Sequence, residues 1–347
     1  MPCYTPLRAS RIREADGSYT ISFAYKDQLR ESLMLLPCGQ CIGCRLERSR
    51  QWAVRCMHEA SLHADNCFVT LTFSDDNLPK DGSLQKSDLQ KFFKRLRRYL
   101  ESDDCRVDFP DLFERKISYY ACGEYGEKFS RPHYHVCIFN LDFPDKRKVS
   151  EKGPLYESDL LSSTWSYGRH WIGDVTFESA AYVARYCAKK ITGQMADKHY
   201  SRVSLSSGEL YSLVPEFNLM SKKPAIGLRW IEKYHSDVSR NDEVIINGKS
   251  CRPSRFYDKF LSKHYPDAFS DLMSAREFMR DELSVLNADD NTPERLDVRR
   301  RVNELKFDQL SRDYEFSGVD FTSDVVSMDS ERYKAALVIN SKSKEVL

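Results

Sequence analysis

Short runs of apolar residues with strand-like composition are the first pattern along the chain. Residues 67–73 (CFVTLTF) are β-branched and aromatic and are followed by a polar turn, which predicts a buried strand. Residues 117–122 and 133–139 predict two more strands, which a loop containing glycine and glutamate joins into a hairpin. A shorter strand is predicted at 171–177.

Apolar residues at helical spacing lie between these strands and predict the helices. The predicted helices cover 45–62, about 87–100, 157–165 and 179–191, and Gly193 ends the last of them. Strands that alternate with helices and include a tight hairpin predict an α+β fold with an antiparallel sheet covered by helices on one face.

The regularity of this pattern divides the chain into four predicted segments. Residues 1–66 form a cysteine-rich N-terminal segment with a helix, and residues 67–195 form the core. Residues 196–312 form an accessory, partly helical region, and residues 313–347 a polar tail.

Composition places the chain among ordinary globular proteins, with 41% apolar and 30% charged residues. No run approaches the roughly 18 apolar residues of a membrane span, and the N-terminus has no secretory signal. We therefore expect the protein to stay in the cytoplasm where it is made, with no membrane partner.

The formal net charge is only +1, so composition alone does not predict nucleic-acid binding. Any positive field has to be local. Basic residues cluster in three places: Lys91, Lys94, Arg95, Arg97 and Arg98; Arg185, Lys189 and Lys190; and Lys222, Lys223 and Arg229. Each cluster, taken singly, is also compatible with a solvated face.

Two histidines on one predicted strand form the sharpest chemical signal. His133 and His135 are two residues apart, so both imidazoles point to the same face of the strand. Glu124 closes the preceding strand of the hairpin and can face them as a third ligand, while Glu127, further out in the loop, competes for that role. Two imidazoles and a carboxylate predict a divalent metal site.

The helix at 179–191 carries two tyrosines one helical turn apart, Tyr182 and Tyr186. Small and aliphatic residues form its apolar face, and the pattern places both tyrosines, Arg185 and Lys189 on the opposite, polar face. Tyrosine is a weak nucleophile at its ordinary pKa of about 10, so a nearby cation is needed to activate it. Lys189 and the metal are the candidates.

Together these motifs resemble the HUH endonuclease superfamily, in particular the two-tyrosine rolling-circle initiators and, more closely, the replication initiation proteins of gokushovirus-type microviruses. The likeness spans roughly the first 190 residues, and a Pro-Ala-Ile-Gly stretch at 224–227 extends it. The segments that carry it are Met1–Tyr4, Cys38–Arg45, Phe68–Phe73, Gly123–Gly126, Arg131–His135 and Tyr182–Lys190.

The resemblance implies a ferredoxin-like (RRM-like) nuclease core with a central antiparallel sheet. It implies nicking of single-stranded origin DNA, a 5′-phosphotyrosine link, and a free 3′-OH that primes synthesis by the host helicase and polymerase. The implied metal, Mg²⁺ or Mn²⁺, would be held by His133, His135 and Glu124. The implied catalytic residues are Tyr182, Tyr186 and Lys189, with Arg185 and Lys190 as DNA contacts. If only one tyrosine makes the first cut, we expect Tyr186, because Lys189 and Lys190 follow it by one turn.

One position departs from the usual motif of the superfamily. The residue between the two histidines is Tyr134 rather than an aliphatic residue. Since it points to the opposite face of the strand, we expect no catalytic consequence.

The N-terminal segment carries a separate metal-binding pattern. Cys38, Cys41 and Cys44 are separated by two residues each time, a spacing at which thiolates share one metal. Cys3 is the natural fourth ligand and Cys56 the alternative. We expect a structural Zn²⁺; three free thiols and an iron–sulfur cluster remain open. Four other cysteines fit core patterns as small buried hydrophobes: Cys67, Cys122, Cys137 and Cys187.

Two other functions fit the same residues. A single-tyrosine relaxase or transposase of the same superfamily would keep the metal site but use one nucleophile. A non-catalytic, zinc-stabilised nucleic-acid-binding protein would use the histidine pair structurally. A nicking assay on single-stranded DNA with Mg²⁺ or Mn²⁺ separates the enzymes from the binder.

Overall fold

The structure is a computed structural model. It describes residues 3–14, 19–23, 33–126, 130–149, 155–189, 194–203, 208–286, 289 and 292–316, without the side chains of a few positions inside helices and strands. Most of the predicted polar tail, from 317 to 347, lies outside the described residues.

Strands of the described residues form one large sheet and three small ones. The strands are β1 (Leu7–Arg13), β2 (Tyr19–Ser22), β3 (Leu33–Leu36), β4 (Asn66–Leu71), β5 (Ser118–Tyr125), β6 (Pro132–Phe139), β7 (Arg147–Lys148), β8 (Tyr156–Glu157), β9 (His170–Gly173), β10 (Ser201–Val203), β11 (Leu210–Ser212), β12 (Phe217–Met220), β13 (Val244–Ile246) and β14 (Lys249–Cys251). The large sheet is antiparallel throughout, in the order β12-β5-β6-β4-β9-β8-β7.

Helices flank this sheet and fill the C-terminal half of the described chain. They are α1 (Ile42–Ala60), α2 (Lys86–Leu100), α3 (Asp103–Asp108), α4 (Asp159–Thr164), α5 (Phe177–Lys189), α6 (Gln194–Tyr200), α7 (Leu228–Asn241), α8 (Arg255–His264), α9 (Pro266–Leu286) and α10 (Pro293–Phe316). In the part of the chain that the structure describes, no helix is long and apolar enough to cross a membrane.

The predicted α+β class with a large antiparallel sheet is confirmed. Along the core the elements follow the order β4, α2, β5, β6, α4, β9, α5, and the four strands lie side by side as β5-β6-β4-β9. This alternation is compatible with the predicted ferredoxin-like core, and that finer assignment stays a prediction. The strand β12, from the predicted accessory region, extends the sheet beyond β5.

The prediction that helices cover only one face of the sheet is wrong, because both faces are buried. Alternate residues of β4 contribute to two separate cores: Val69 packs with α2 and α4, while Phe68 packs with α1 and α5. A strand that is buried on both faces has a continuous apolar run rather than an alternating one. The run at 67–73 has that character, and helix α1 supplies the second cover.

Most predicted elements lie within a few residues of their expected bounds, and the exceptions have local causes. Phe177, predicted as the end of a strand, is the first residue of α5. The turn at Asp174–Thr176 separates the two elements, where the Ser179 hydroxyl donates to the Asp174 carbonyl and the Ser179 backbone N–H donates to the Thr176 hydroxyl. The helix α2 keeps the predicted apolar face, buried at Leu89, Phe92, Phe93, Leu96 and Leu100.

Candidate metal centre and nucleophile site

Strand pairing places one carboxylate opposite two imidazoles. In the register of β5 and β6, Glu124 pairs directly with His133, and His135 projects from the same face two residues on. Glu124 Oε1 lies 2.5 Å from His133 Nε2 and 2.7 Å from His135 Nε2. The sequence-based expectation that Glu124 faces both histidines is therefore confirmed as geometry. Glu127, the competitor, lies outside the described residues.

Burial and charge give Glu124 and His135 the ionisation states that metal ligands need. Burial raises the pKa of Glu124, but His133 and His135 outweigh it and hold the pKa at about 2, so the carboxylate is ionised. Burial lowers the pKa of His135 against the opposing effect of Glu124, so the imidazole is neutral. A carboxylate and neutral imidazoles are the forms that coordinate a divalent cation.

Contacts behind the histidines fix the orientation of both rings. The Thr70 hydroxyl lies 2.9 Å from His135 Nδ1, and the Arg131 carbonyl lies 3.1 Å from His133 Nδ1. The ring of Phe68 stacks on that of His135, with centroids 5.6 Å apart. Each Nδ1 is thereby engaged, so that Nε2 is the nitrogen directed at the shared site.

Thr70 is a residue that the sequence analysis missed. It lies on β4 directly opposite His135 and is 1% exposed. The available signal was a hydroxyl-bearing residue inside an otherwise apolar strand, two positions from Phe68 and hence on the same face. Buried hydroxyls normally have a hydrogen-bond partner, so this position predicted a polar neighbour across the sheet.

Tyr182 lies within this buried site rather than on the surface. Its hydroxyl donates to Glu124 Oε1 over 3.3 Å, and its ring meets the His135 ring edge to face with centroids 5.0 Å apart. The side chain is only 5% exposed, so the prediction that Tyr182 occupies a polar, outward face is wrong. Two buried faces explain the difference, because α5 contacts both α1 and the sheet, and its tyrosine side packs on the sheet.

The remaining predicted residues of α5 are placed only in part. Arg185 is 8% exposed, with its guanidinium 5.8 Å from the centroid of the Tyr182 ring. The backbone of Tyr186 and Lys189 continues the helix, while their side chains and Lys190 lie outside the described residues. Tyr134, on the opposite face of β6 as predicted, packs in the other core and donates to Asp88 Oδ2 over 3.1 Å.

The Glu124, His133 and His135 group has the composition of a metal centre. One ligand atom from each residue lies within 4.8 Å of the others. Glu124 Oε2 is buried and has no hydrogen-bond partner among the described residues, although buried carboxylate oxygens normally have one. A cation beside the two imidazoles would satisfy that oxygen, so the donor set fits a divalent ion.

A second candidate metal centre lies at the N-terminus. The sulfurs of Cys3, Cys38, Cys41 and Cys44 also lie within 4.8 Å of one another, and the Sγ atoms of Cys3 and Cys41 are 3.8 Å apart. Cys3 is thus the fourth member of the cluster. The alternative, Cys56, is fully buried in the core between α1 and α5.

Backbone amides point at the sulfurs as they do around thiolates. The amides of Cys38 and Tyr4 donate to Cys3 Sγ and Cys41 Sγ over 3.3 and 3.4 Å. Burial raises the pKa of Cys38, but hydrogen bonds from Thr5 and from backbone amides outweigh it and lower the pKa to about 6. Burial and the neighbouring sulfurs raise the pKa of Cys44 to about 12. A bound cation would neutralise the repulsion between the sulfurs and so favour the thiolate form of all four.

Other cysteines behave as the apolar pattern predicted. Cys67, Cys122 and Cys137 are at most 1% exposed and belong to the two cores of the sheet. The side chain of Cys187 lies outside the described residues.

Comparisons with known proteins agree with the motifs. Residues 66–191 match a family described as Replication-associated protein ORF2/G2P. The chain is 34% identical over 293 residues to Replication-associated protein VP4 of Bdellovibrio phage phiMH2K, a match that covers 83% of this chain and 86% of that protein. It is 32% identical over 292 residues to Replication-associated protein ORF2 of Spiroplasma virus 4, with 78% and 83% covered.

A third relative is Replication-associated protein ORF4 of Chlamydia phage 1, 28% identical over 244 residues, 68% of this chain and 56% of that protein. No solved structure matches the chain. The similarity to the first two relatives runs over most of both chains and includes the segment with both histidines and Tyr182. The chain therefore belongs to the family of microvirus replication-associated proteins.

Proposed function

We propose that the chain initiates rolling-circle replication by nicking single-stranded origin DNA through a tyrosine, in the cytoplasm of the host cell. The observation that carries this proposal is the contact between the Tyr182 hydroxyl and Glu124, inside the group formed with His133 and His135. A nucleophile in hydrogen-bond reach of a metal-ligating carboxylate is arranged for phosphoryl transfer.

The reaction exchanges one phosphate ester for another. The Tyr182 oxygen attacks the scissile phosphorus, a bond forms between that oxygen and phosphorus, and the bond from phosphorus to the 3′ oxygen breaks. The tyrosine loses its proton and the departing 3′ oxygen gains one, which leaves a free 3′-OH and a 5′-phosphotyrosine link. That 3′-OH is the primer end that a host helicase and polymerase would extend.

Protein side chains orient and stabilise the reacting groups. Glu124, His133 and His135 would hold Mg²⁺ or Mn²⁺, which when bound supplies polarisation of the scissile phosphate and stabilises its charge. The aromatic contact with His135 holds the Tyr182 ring, so its oxygen stays at the site. Arg185 lies beside that ring and provides a cation for the phosphate backbone.

We assign the first transfer to Tyr182, because its hydroxyl contacts Glu124, and the second to Tyr186, although the sequence alone favoured Tyr186 for the first cut. A full cycle needs two nucleophiles, because the first tyrosine still carries the 5′ end when the regenerated origin has to be cut. Tyr186 follows Tyr182 by one turn of α5, about 6 Å along the helix axis. Lys189 and Lys190 follow one turn later in the sequence and are the cations proposed to assist it.

At the N-terminus we propose a structural Zn²⁺ held by Cys3, Cys38, Cys41 and Cys44. Four sulfurs and amide donors to them form a closed donor set, with no position reserved for a substrate. The site would join the chain terminus to the start of α1.

The test uses single-stranded oligonucleotides that tile the replicon encoding the chain, with Mn²⁺, and scores cleavage and covalent adduct on denaturing gels. Tyr182→Phe should lower adduct formation and block the release of closed circles. The matched control is Tyr120→Phe, a buried tyrosine of the same core whose hydroxyl accepts from Asn218 instead. Unchanged circle release by Tyr182→Phe would leave a single-tyrosine enzyme, and binding without any cleavage would leave a non-catalytic binder.

A further inference from the structure

Helix α2 presents a solvent face made of cations. Lys91, Lys94 and Arg98 are exposed and lie directly opposite the buried apolar face, over about 10 Å of helix. Their neighbours on the exposed side are also basic or polar: Lys86, Ser87, Gln90 and Arg97. A chain with a net charge of only +1 thus concentrates several positive charges on one short helix.

The cations of this surface are not held in ion pairs within the described residues. The acid inside α2 itself, Asp88, is 7% exposed and accepts a hydrogen bond from Tyr134 in the core. Among the described residues, Lys91, Lys94 and Arg98 form no ion pair with a carboxylate. In contrast, two of the arginines of α10, Arg300 and Arg301, pair with Asp297 on the same helix.

The helix lies on the side of the sheet away from the nucleophile. Its buried residues pack with Tyr134 and Val136, whereas Tyr182 packs with Cys137 on the opposite face. The sheet and one helix layer therefore separate the cationic face from the site, on the order of 15 Å of protein. A short strand bound at the site does not reach it.

We propose that this face of α2 binds the phosphate backbone of DNA outside the cleaved segment, so that the origin DNA passes around the sheet. The inference rests on DNA being the substrate of the proposed function. The exposed face has no apolar or aromatic side chain, and a protein partner would need such a centre. Phosphate contacts need only correctly placed cations, and they set affinity without reading sequence.

The experiment measures DNA binding by the full-length protein as a function of salt, with a fluorescent single strand of about 40 nucleotides and one of about 4 nucleotides, roughly 14 Å long at 3.4 Å per nucleotide. The variant is Lys91→Gln, Lys94→Gln and Arg98→Gln combined. The matched control is Arg299→Gln, Arg300→Gln and Arg301→Gln combined, which removes the same three charges from α10. The three α2 positions are exposed, whereas Arg299 and Arg300 of the control are half-buried and Arg301 is exposed, so melting curves check that each variant is folded.

The α2 variant should bind the long strand more weakly, and its slope of log affinity against log salt should fall in magnitude by about 2, since each lost phosphate contact contributes roughly 0.7. Binding of the short strand, and its cleavage, should not change. The control should leave the slope for the long strand unaltered. An α2 variant whose salt slope and DNA affinity match those of the control would overturn the proposal. That result is also the one expected if α2 binds an acidic protein instead of DNA.

Binding and cleavage fail independently in this design. If the α2 variant binds the long strand more weakly while neither it nor the unaltered protein cleaves DNA, the proposed α2 surface is supported and the proposed nicking function is wrong. If the unaltered protein cleaves DNA and the α2 variant binds the long strand as the control does, nicking is supported and the proposed α2 surface is wrong.

Discussion

Two groups of potential metal ligands differ in what holds them in place. Glu124, His133 and His135 project from two paired strands in the middle of a seven-stranded sheet, and Glu124 and His135 are almost fully buried. The cysteines come from the chain terminus, a loop and the first turn of α1, and all four are partly exposed.

The difference suits the two kinds of metal site proposed for them. Strand pairing and the contacts from Thr70 and Phe68 keep the first group assembled whether or not a metal is bound. Such preorganisation suits catalysis, in which a cation has to meet substrate in a fixed geometry. The cysteine group has few other contacts to hold it together, so its metal would contribute folding energy.

The largest expected effect is the loss of cleavage when a histidine is removed. His133→Ala and His135→Ala should each lower single-turnover nicking by about a thousand-fold or more, because metal stabilisation of the transferring phosphate is worth several kcal/mol. His135→Ala should also lower the melting temperature, since its ring packs between Phe68 and Tyr182. Quench-flow or gel kinetics with added Mn²⁺ measure the first effect and calorimetry the second.

A buried carboxylate outside the site provides the control. Glu59 is 3% exposed and accepts hydrogen bonds from Ser118 and from the Gly227 amide. Glu59→Gln should destabilise the fold and leave the cleavage rate of the folded protein unchanged. The assay buffer is first cleared of metals with a chelator and then supplied with Mg²⁺ alone. Normal nicking by both histidine variants in this buffer would show that these histidines hold no catalytic metal.

The next effect separates the cysteine site from the histidine site. Cys41→Ser should abolish the binding of about one zinc per chain and lower the melting temperature, because thiolate sites contribute their metal-binding energy to folding. Nicking should fall only in proportion to the unfolded fraction. Elemental analysis measures the zinc and calorimetry the melting temperature. The control is Cys251→Ser, at a thiol in a separate hairpin, and this variant should still bind about one zinc per chain. Fresh, reduced protein without zinc or iron would contradict the assignment.

A smaller effect tests the support behind the histidine site. Thr70→Val keeps the shape of the side chain and removes the hydroxyl that engages His135 Nδ1, so Mn²⁺ affinity should fall about 10- to 100-fold. Thr72→Val, directly after the end of the same strand, is the control, since its hydroxyl donates to the Arg169 carbonyl. Equal Mn²⁺ affinities of the two variants, by calorimetric titration, would remove Thr70 from the site.

The smallest effect concerns the reactivity of metal-free cysteines. The pKa of Cys38 is lowered to about 6 and that of Cys44 is raised to about 12, so of these two thiols Cys38 is largely thiolate at neutral pH and Cys44 is not. Alkylation of the metal-free protein should therefore rise through about pH 6 at Cys38 and stay slow at Cys44, as peptide mass spectrometry would measure. Added zinc should protect both. Equal rates at the two positions would contradict the assigned hydrogen-bond pattern.

Sequence periodicity predicted the elements that carry the site, because strand alternation fixes which residues share a face. It placed His133 and His135 together, Tyr134 opposite them, and Glu124 across the hairpin, and the register confirms each placement. The site roles of these residues stay proposals.

Periodicity along one helix could not predict what covers its polar side. The pattern predicted Tyr182 and Arg185 as exposed because a helical wheel contains no information about a second neighbour. Both are buried, Tyr182 against the sheet and Arg185 beside the Tyr182 ring. The same limitation led to the wrong prediction that helices cover one face of the sheet, since the helix α1 that covers the other face comes from the N-terminal segment. Long-range packing of this kind is absent from any local pattern.

The central claim is that a tyrosine of α5 becomes covalently linked to DNA. The most direct measurement is the yield of protein–DNA adduct from a 3′-labelled, origin-containing single strand with Mn²⁺, comparing the unaltered protein with the double variant Tyr182→Phe and Tyr186→Phe. The account predicts an adduct whose phosphopeptide maps to 177–189 in the unaltered protein and no adduct in the double variant. An adduct of normal yield in the double variant would contradict it.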